Sequence, residues 1–223
     1  MKKILLITLL LTCALILPVS ATPSTIIWIP STDIQPADKT HLGIDNYSTV
    51  KPNGTTGAFT TPDYGLTWGR KNFEYGIDYI ASQPSNPLYF NAKFNLLNNA
   101  ATNVNVVAGV YNVGTSNATN QEVKYVLASK IIKDGTRFAL GYGVGREAAL
   151  GSDNKMILAS IDKQLNDKWW VAIDHQGGKS ALGATNVGFA YSFAPNASVI
   201  FAYDIYNNKS YKNTITTQLD INF

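Results

Sequence analysis

Cysteine is all but missing from this sequence. Its one occurrence, Cys13, sits in the apolar opening stretch MKKILLITLLLTCALILPVSA, so nothing after Ala21 can form a disulfide or a thiolate metal site. Histidine is nearly as scarce, with only His41 and His175, which leaves few arrangements for histidine-based catalysis. After Ala21 there is no apolar run of membrane-helix length, and helical periodicity is nearly absent. A basic excess is missing as well. Without Lys2 and Lys3 the chain has sixteen Lys and Arg against fifteen Asp and Glu, so no concentrated basic face for nucleic acid is expected. No cofactor is expected either, since no metal cluster or carboxylate pair stands out and the short Gly runs lack phosphate-loop spacing.

The opening stretch has the three parts of a secretory signal: Lys2 and Lys3, the apolar run Ile4 to Leu17, and Pro18-Val19-Ser20-Ala21 for cleavage. A retained membrane helix is the alternative, but the run is short and Pro18 interrupts it. Residues 1–21 are therefore read as a signal peptide. Without disulfides, the exported chain must be stabilised by burial or by lipid.

Period-two alternation fills the remainder. Strands are expected near 40–50, 58–68, 72–81, 87–97, 104–115, 123–132, 136–147, 155–165, 168–177, 181–193, 198–208 and 212–223, separated by Asn, Asp, Gly and Pro clusters. That makes twelve, with ten as the alternative, joined by connections of three to seven residues. A soluble β-sandwich or lipocalin-like barrel would alternate too, with the apolar face inside. Two features favour the reverse. Ala139, Gly141, Gly143 and Gly145 lie opposite Phe138, Leu140, Tyr142 and Val144, and small residues suit a crowded barrel interior. Large aromatics also sit at strand ends: Trp68, Phe73, Phe138, Trp169, Phe193 and Phe223 toward one rim, and Tyr47, Tyr79, Tyr203 and Tyr206 toward the other. Two girdles around an apolar band mark a transmembrane barrel.

The last residues, QLDINF, place Ile215, Leu219, Ile221 and Phe223 on one face, with Thr217 the one polar interruption. The chain thereby resembles bacterial outer-membrane β-barrel proteins, whose final strand commonly ends on Phe after alternating apolar residues. The resemblance implies an all-β, antiparallel up-and-down transmembrane barrel over residues 40–223 and a location in the outer membrane. It also implies recognition by the barrel assembly machinery and contact with outer-membrane lipid and lipopolysaccharide. It names a destination and no activity.

Charged residues in the polar register are expected to face the lumen: Asp45, Glu74, Asp78, Lys93, Lys124, Lys130, Arg137, Asp162, Asp174, Asp204 and Asp220. On the lipid face at mid-depth, a Lys or Arg would cost about 2–4 kcal/mol. Such a lumen is either a hydrated path or a barrel filled with ion pairs, and near balance of the signs gives a pore only weak charge selectivity. Residues 22–39 hold Pro23, Pro30 and Pro36, which argue against a ladder strand, yet Ile26, Ile27, Trp28 and Ile29 are too apolar for a free tail. They lie along the periplasmic rim, tuck into the lumen or form a short edge strand. A lipid-modifying enzyme built on His175 and Ser180 is a minor alternative, because HQGGKS separates them by five positions. Asn-x-Ser/Thr triplets at Asn46, Asn53, Asn117, Asn196 and Asn208 read as chance matches in turns. A narrow pore for small solutes is favoured over a filled structural barrel.

Overall fold

The computed structural model describes residues 24–50, 62–83 and 85–223. The stretch read as a signal peptide and the start expected for the second strand lie outside the described residues. Twelve strands form: β1 (Thr40–Thr49), β2 (Asp63–Gly69), β3 (Phe73–Ile80), β4 (Leu88–Asn99), β5 (Val104–Gly114), β6 (Val123–Ile131), β7 (Arg137–Val144), β8 (Lys155–Gln164), β9 (Trp169–Gln176), β10 (Ala184–Ala194), β11 (Ala197–Tyr206) and β12 (Thr214–Asn222). Each pairs antiparallel with its sequence neighbours, and β12 returns to β1, so the sheet is closed. The closing seam runs from His41 opposite Asn222 to Thr49 opposite Thr214. Phe223 extends it: Thr40 N donates to Phe223 O at 2.8 Å, and Phe223 N donates to Thr40 O at 2.9 Å. Order at the end of the chain follows from closure, because an unpaired edge in hydrocarbon has no water to satisfy it.

The outer face is apolar. Phe138, Leu140, Tyr142, Ile157, Ile161, Ile173, Val187, Phe189 and Ile215 are all exposed there, far more apolar surface than a water-facing wall carries. This excludes the soluble sandwich and makes the fold a transmembrane barrel. The rim that holds both barrel ends (the terminal rim) has the short connections 70–72, 100–103, 132–136, 165–168 and 195–196. At the opposite, loop rim the connections 115–122 and 145–154 are longer than expected, and the second contains a single helical turn at Glu147–Leu150.

One aromatic girdle is built by stacking at the terminal rim. Phe73 lies 5.4 Å from Phe94 and 5.9 Å from Tyr75, while Trp169 lies 4.8 Å from Tyr191. At the loop rim Tyr79 and Tyr203 face outward, but Tyr47 and Tyr206 do not join them. Both rings pack edge-on against Trp28, at 5.8 and 5.4 Å. Strand register is the cause: Tyr47 shares its face of β1 with Asp45, and Tyr206 its face of β11 with Asp204, so both rings point into the lumen. Asn46, expected in a turn, lies in β1.

The interior departs from the expected polar wall on β5, β6, β8, β9 and β11. Val107, Val123, Tyr125, Leu127, Met156, Leu158, Trp170 and Ile200 point inward and are buried. They form one apolar cluster with Ile26, Ile27 and Ile29. A barrel can bury apolar residues on its inner face only when something apolar fills the space. Here the segment that precedes β1 does so.

Candidate functional site

Residues 24–39 run as a strap through the lumen. Its prolines keep it out of the ladder; among the described residues its only β-bridges are Thr25 with Pro30 and Ala37 with Gly69. The strap enters at the terminal rim, where its backbone crosses β2 against Gly69. A methyl group at Gly69 would collide with the carbonyls of Gln35 and Pro36. Further in, it folds into a tight turn in which Ile26 N donates to Ile29 O at 2.8 Å and Ser31 N to Ser24 O at 3.0 Å.

Asp174 on β9 latches that turn. Its Oδ2 accepts the backbone N–H groups of Ile27, Trp28 and Ile29 at 2.9, 2.8 and 3.1 Å. Its Oδ1 accepts Asn186 Nδ2 at 2.6 Å. Successive amides converging on a carboxylate make an anion nest, here with the anion supplied by the wall. Gln218 Nε2 donates to Ile27 O at 3.0 Å, so the apex is bonded from both sides. The three isoleucines add about 1.5–3 kcal/mol each by burial, as an upper bound.

Lower in the lumen the strap meets charge. Arg137 bonds Asp33 of the strap through Nη1, and its Nε donates to Asp162 Oδ1 at 2.9 Å. Trp170 Nε1 donates to the other Asp162 oxygen at 3.1 Å. Lys93 Nζ lies 3.0 Å from Glu74 Oε1 and donates to Ser24 O at 3.2 Å. Gln35 N donates to Glu74 Oε2 at 2.6 Å, and Thr32 Oγ1 lies 2.6 Å from Ser129 Oγ.

Of the residues expected in the lumen, Asp45, Glu74, Asp78, Lys93, Arg137, Asp162, Asp174, Asp204 and Asp220 have inward side chains. Lys124 and Lys130 do not. They share the outer register of β6 with Val126 and Ala128, while Val123, Tyr125, Leu127 and Ser129 face in. The register is set by the apolar residues that must meet the strap, and a one-residue slip would expose all of them. Both lysines sit near strand ends, where their stems can reach headgroup level. Lys124 Nζ bonds Glu122 at 2.9 Å. His175 is on the outer face with Nδ1 2.8 Å from Thr185 Oγ1, and Ser180 Oγ accepts Leu182 N–H at 3.4 Å. The structure does not bring His175 and Ser180 together as a catalytic pair.

The strap leaves one side of the lumen uncovered. A cavity of about 380 Å³ lies between its Trp28 and Pro30 and the inner wall of β12, β1, β2, β3 and β4. Asp45, Asp63, Asp78 and Asp220 line it, with Tyr47 and Tyr111. Asp63 and His41 were absent from the sequence-based lumen set. Asp63 shares a register with Gly65 and Thr67; the sequence placed it mid-strand in 58–68, and the structure puts it directly after Pro62 at the start of β2. His41 is buried, with Nε2 3.4 Å from Asp220 Oδ1.

Fold and lumen together define a transmembrane β-barrel with a partly filled bore. No protein-family model and no curated protein matches the sequence. Among solved structures, the KdgM porin aligns at a TM-score of 0.58 with 13% identity, over 81% of this chain and 99% of that one. KdgM porin in complex with disordered oligogalacturonate gives 0.57 and 14%, with the same coverage. The NanC porin gives 0.48 and 13%, over 82% and 98%. At these identities the KdgM likeness establishes the fold.

Proposed function

We propose that the protein is an outer-membrane channel for small solutes, narrowed by its own strap. The observation that carries this reading is the cavity beside the strap, whose β12–β4 wall is polar and charged where the opposite wall is packed with apolar side chains. The fold shared with KdgM supports it. The oligogalacturonate of that complex is a polyanion, whereas the unpaired charges of this lumen are carboxylates, so that solute is not transferred here.

Planar-bilayer recording tests the channel. The intact barrel is expected to give small, steady conductance, and a chain lacking residues 22–38 a conductance several-fold larger. Silence from both would leave a filled structural barrel, the second reading, which the apolar cluster around Ile26, Ile27 and Ile29 favours. Conductance only from the shortened chain would make the strap a complete plug.

The terminal rim, with its short turns, is assigned to the periplasm and the longer loops to the outside. The outer face then meets lipid and lipopolysaccharide. The signal for the barrel assembly machinery is assigned to Ile215, Leu219, Ile221 and Phe223, all outward on the closing strand. Deleting Phe223 is expected to reduce the folded barrel recovered from the outer membrane more than Phe201→Leu does. Equal recovery from the deletion and the intact chain would refute that role.

A further inference from the structure

We infer that the uncovered strip of lumen wall is a binding path for small organic cations, amines or guanidinium compounds; the inference rests on the channel reading. Charge of the two signs is nearly balanced along the chain, but pairing in the lumen separates it. Arg137 is held between Asp33 and Asp162, and Lys93 is bonded to Glu74. The lumen's strong cations are thereby neutralised. Of the carboxylates in the uncovered strip, Asp220 has the imidazole of His41 3.4 Å from its Oδ1, while Asp45 and Asp63 have no cationic side chain bonded to them among the described residues.

Their arrangement is a trough. In the row across four strands, Asp220 pairs with Gly43, Gly43 with Gly65, and Gly65 with Asp78. Two glycines thus floor the space between two carboxylates. A methyl group at Gly65 would lie 2.7 Å from Asp78 Oδ1, so the Asp78 carboxylate lies directly over that glycine. One step toward the loop rim, Asp45 and Asp63 are directly opposed across β1 and β2. Like charges placed directly opposite each other destabilise a sheet, and here the wall alone does not offset the cost.

The buried polar atoms point the same way. Asp220 is 3% exposed and lines the cavity, yet its Oδ2 has no hydrogen-bond partner among the described residues. Asp63 Oδ1 is likewise buried without one. Asp78 accepts Asn91 Nδ2 at 2.5 Å, and the other oxygen of Asp220 lies 3.4 Å from His41 Nε2. These are acceptors awaiting N–H donors. Among the described residues no group of three acidic, histidine or cysteine side chains could hold a metal ion, so a bare metal is a poor fit. Trp28, Tyr47 and Tyr111 line the same cavity and offer ring faces to an ammonium or guanidinium group. A volume of about 380 Å³ is in the range of small-molecule sites.

The test compares putrescine, a diamine, with succinate, a dianion of equal carbon count. In a KCl gradient the reversal potential of the intact barrel is expected to favour K⁺. Putrescine is expected to block the current, and succinate is not. Asp45→Asn, Asp63→Asn and Asp78→Asn together are expected to abolish the K⁺ preference and weaken the putrescine block by about tenfold or more, one decade being about 1.4 kcal/mol. A conducting barrel that shows no cation preference and no putrescine block overturns the inference and leaves the channel standing. If neither the intact nor the shortened chain conducts, the channel reading fails, and calorimetry on the detergent-folded barrel decides the site. Putrescine binding that the triple variant loses supports it, and no binding overturns it.

Discussion

Asp174→Asn is expected to convert steady small currents into frequent openings that approach the level of the chain lacking residues 22–38. The substitution keeps the size of the side chain and removes its ability to accept on both sides. Asp174 accepts three strap amides through Oδ2 and Asn186 Nδ2 through Oδ1. An asparagine can turn its carbonyl toward the strap, which sets its amide against that of Asn186, or toward Asn186, which sets its amide against three N–H groups. Hydrogen bonds to a charged acceptor contribute about 1.5–3 kcal/mol each, so losing part of the nest weakens the latch by roughly 2–4 kcal/mol. At about 1.4 kcal/mol per decade, the population with the turn released rises roughly 30- to 700-fold. Asp204→Asn is the control, because Asp204 Oδ2 accepts Thr214 Oγ1 on the wall and makes no bond to the strap. Asp174→Asn recordings indistinguishable from those of the parent would sink the latch.

The strands could be read in the sequence because one face of each had to be apolar for lipid, and period two survives even where the other face varies. β7 is the clearest case, with Phe138, Leu140, Tyr142 and Val144 outside and Ala139, Gly141 and Gly143 inside. Closure was legible in the alternation that runs to Phe223. The lumen was harder, because its inner face was assumed to be polar throughout. In β6, VKYVLASKI, both faces are apolar, and assigning the lysines inward by their charge put Lys124 and Lys130 on the wrong side. Val123, Tyr125 and Leu127 were the signal: three large residues facing inward require an apolar partner, and Ile26, Ile27 and Ile29 are an apolar stretch outside the strands among the described residues. The ion pair between strap and wall could not be read. Asp33 and Arg137 are 104 residues apart, and only the path of the strap brings them together.

Arg137→Met is expected to cost the barrel more stability than any other single lumen substitution. Arg137 is 9% exposed and serves two carboxylates, Asp33 on the strap and Asp162 on β8, and Asp162 also receives Trp170 Nε1. Methionine preserves much of the stem's bulk but leaves both carboxylates facing each other without a cation. Removing one partner from a buried pair typically costs about 3–5 kcal/mol, because the other charge stays behind unpaired. The cost should fall on the strap as well as the wall, since Asp33 then repels Asp162 instead of being bridged to it. The midpoint of heat-induced unfolding on cold-loaded gels, or of urea unfolding in detergent, measures the loss. Adding Asp33→Asn and Asp162→Asn to Arg137→Met removes the stranded charges and is expected to recover most of it. A single Arg137→Met variant as stable as the parent would mean that the guanidinium's attraction is cancelled by its own desolvation. A triple variant as unstable as the single one would mean that Arg137 acts through packing of its stem alone.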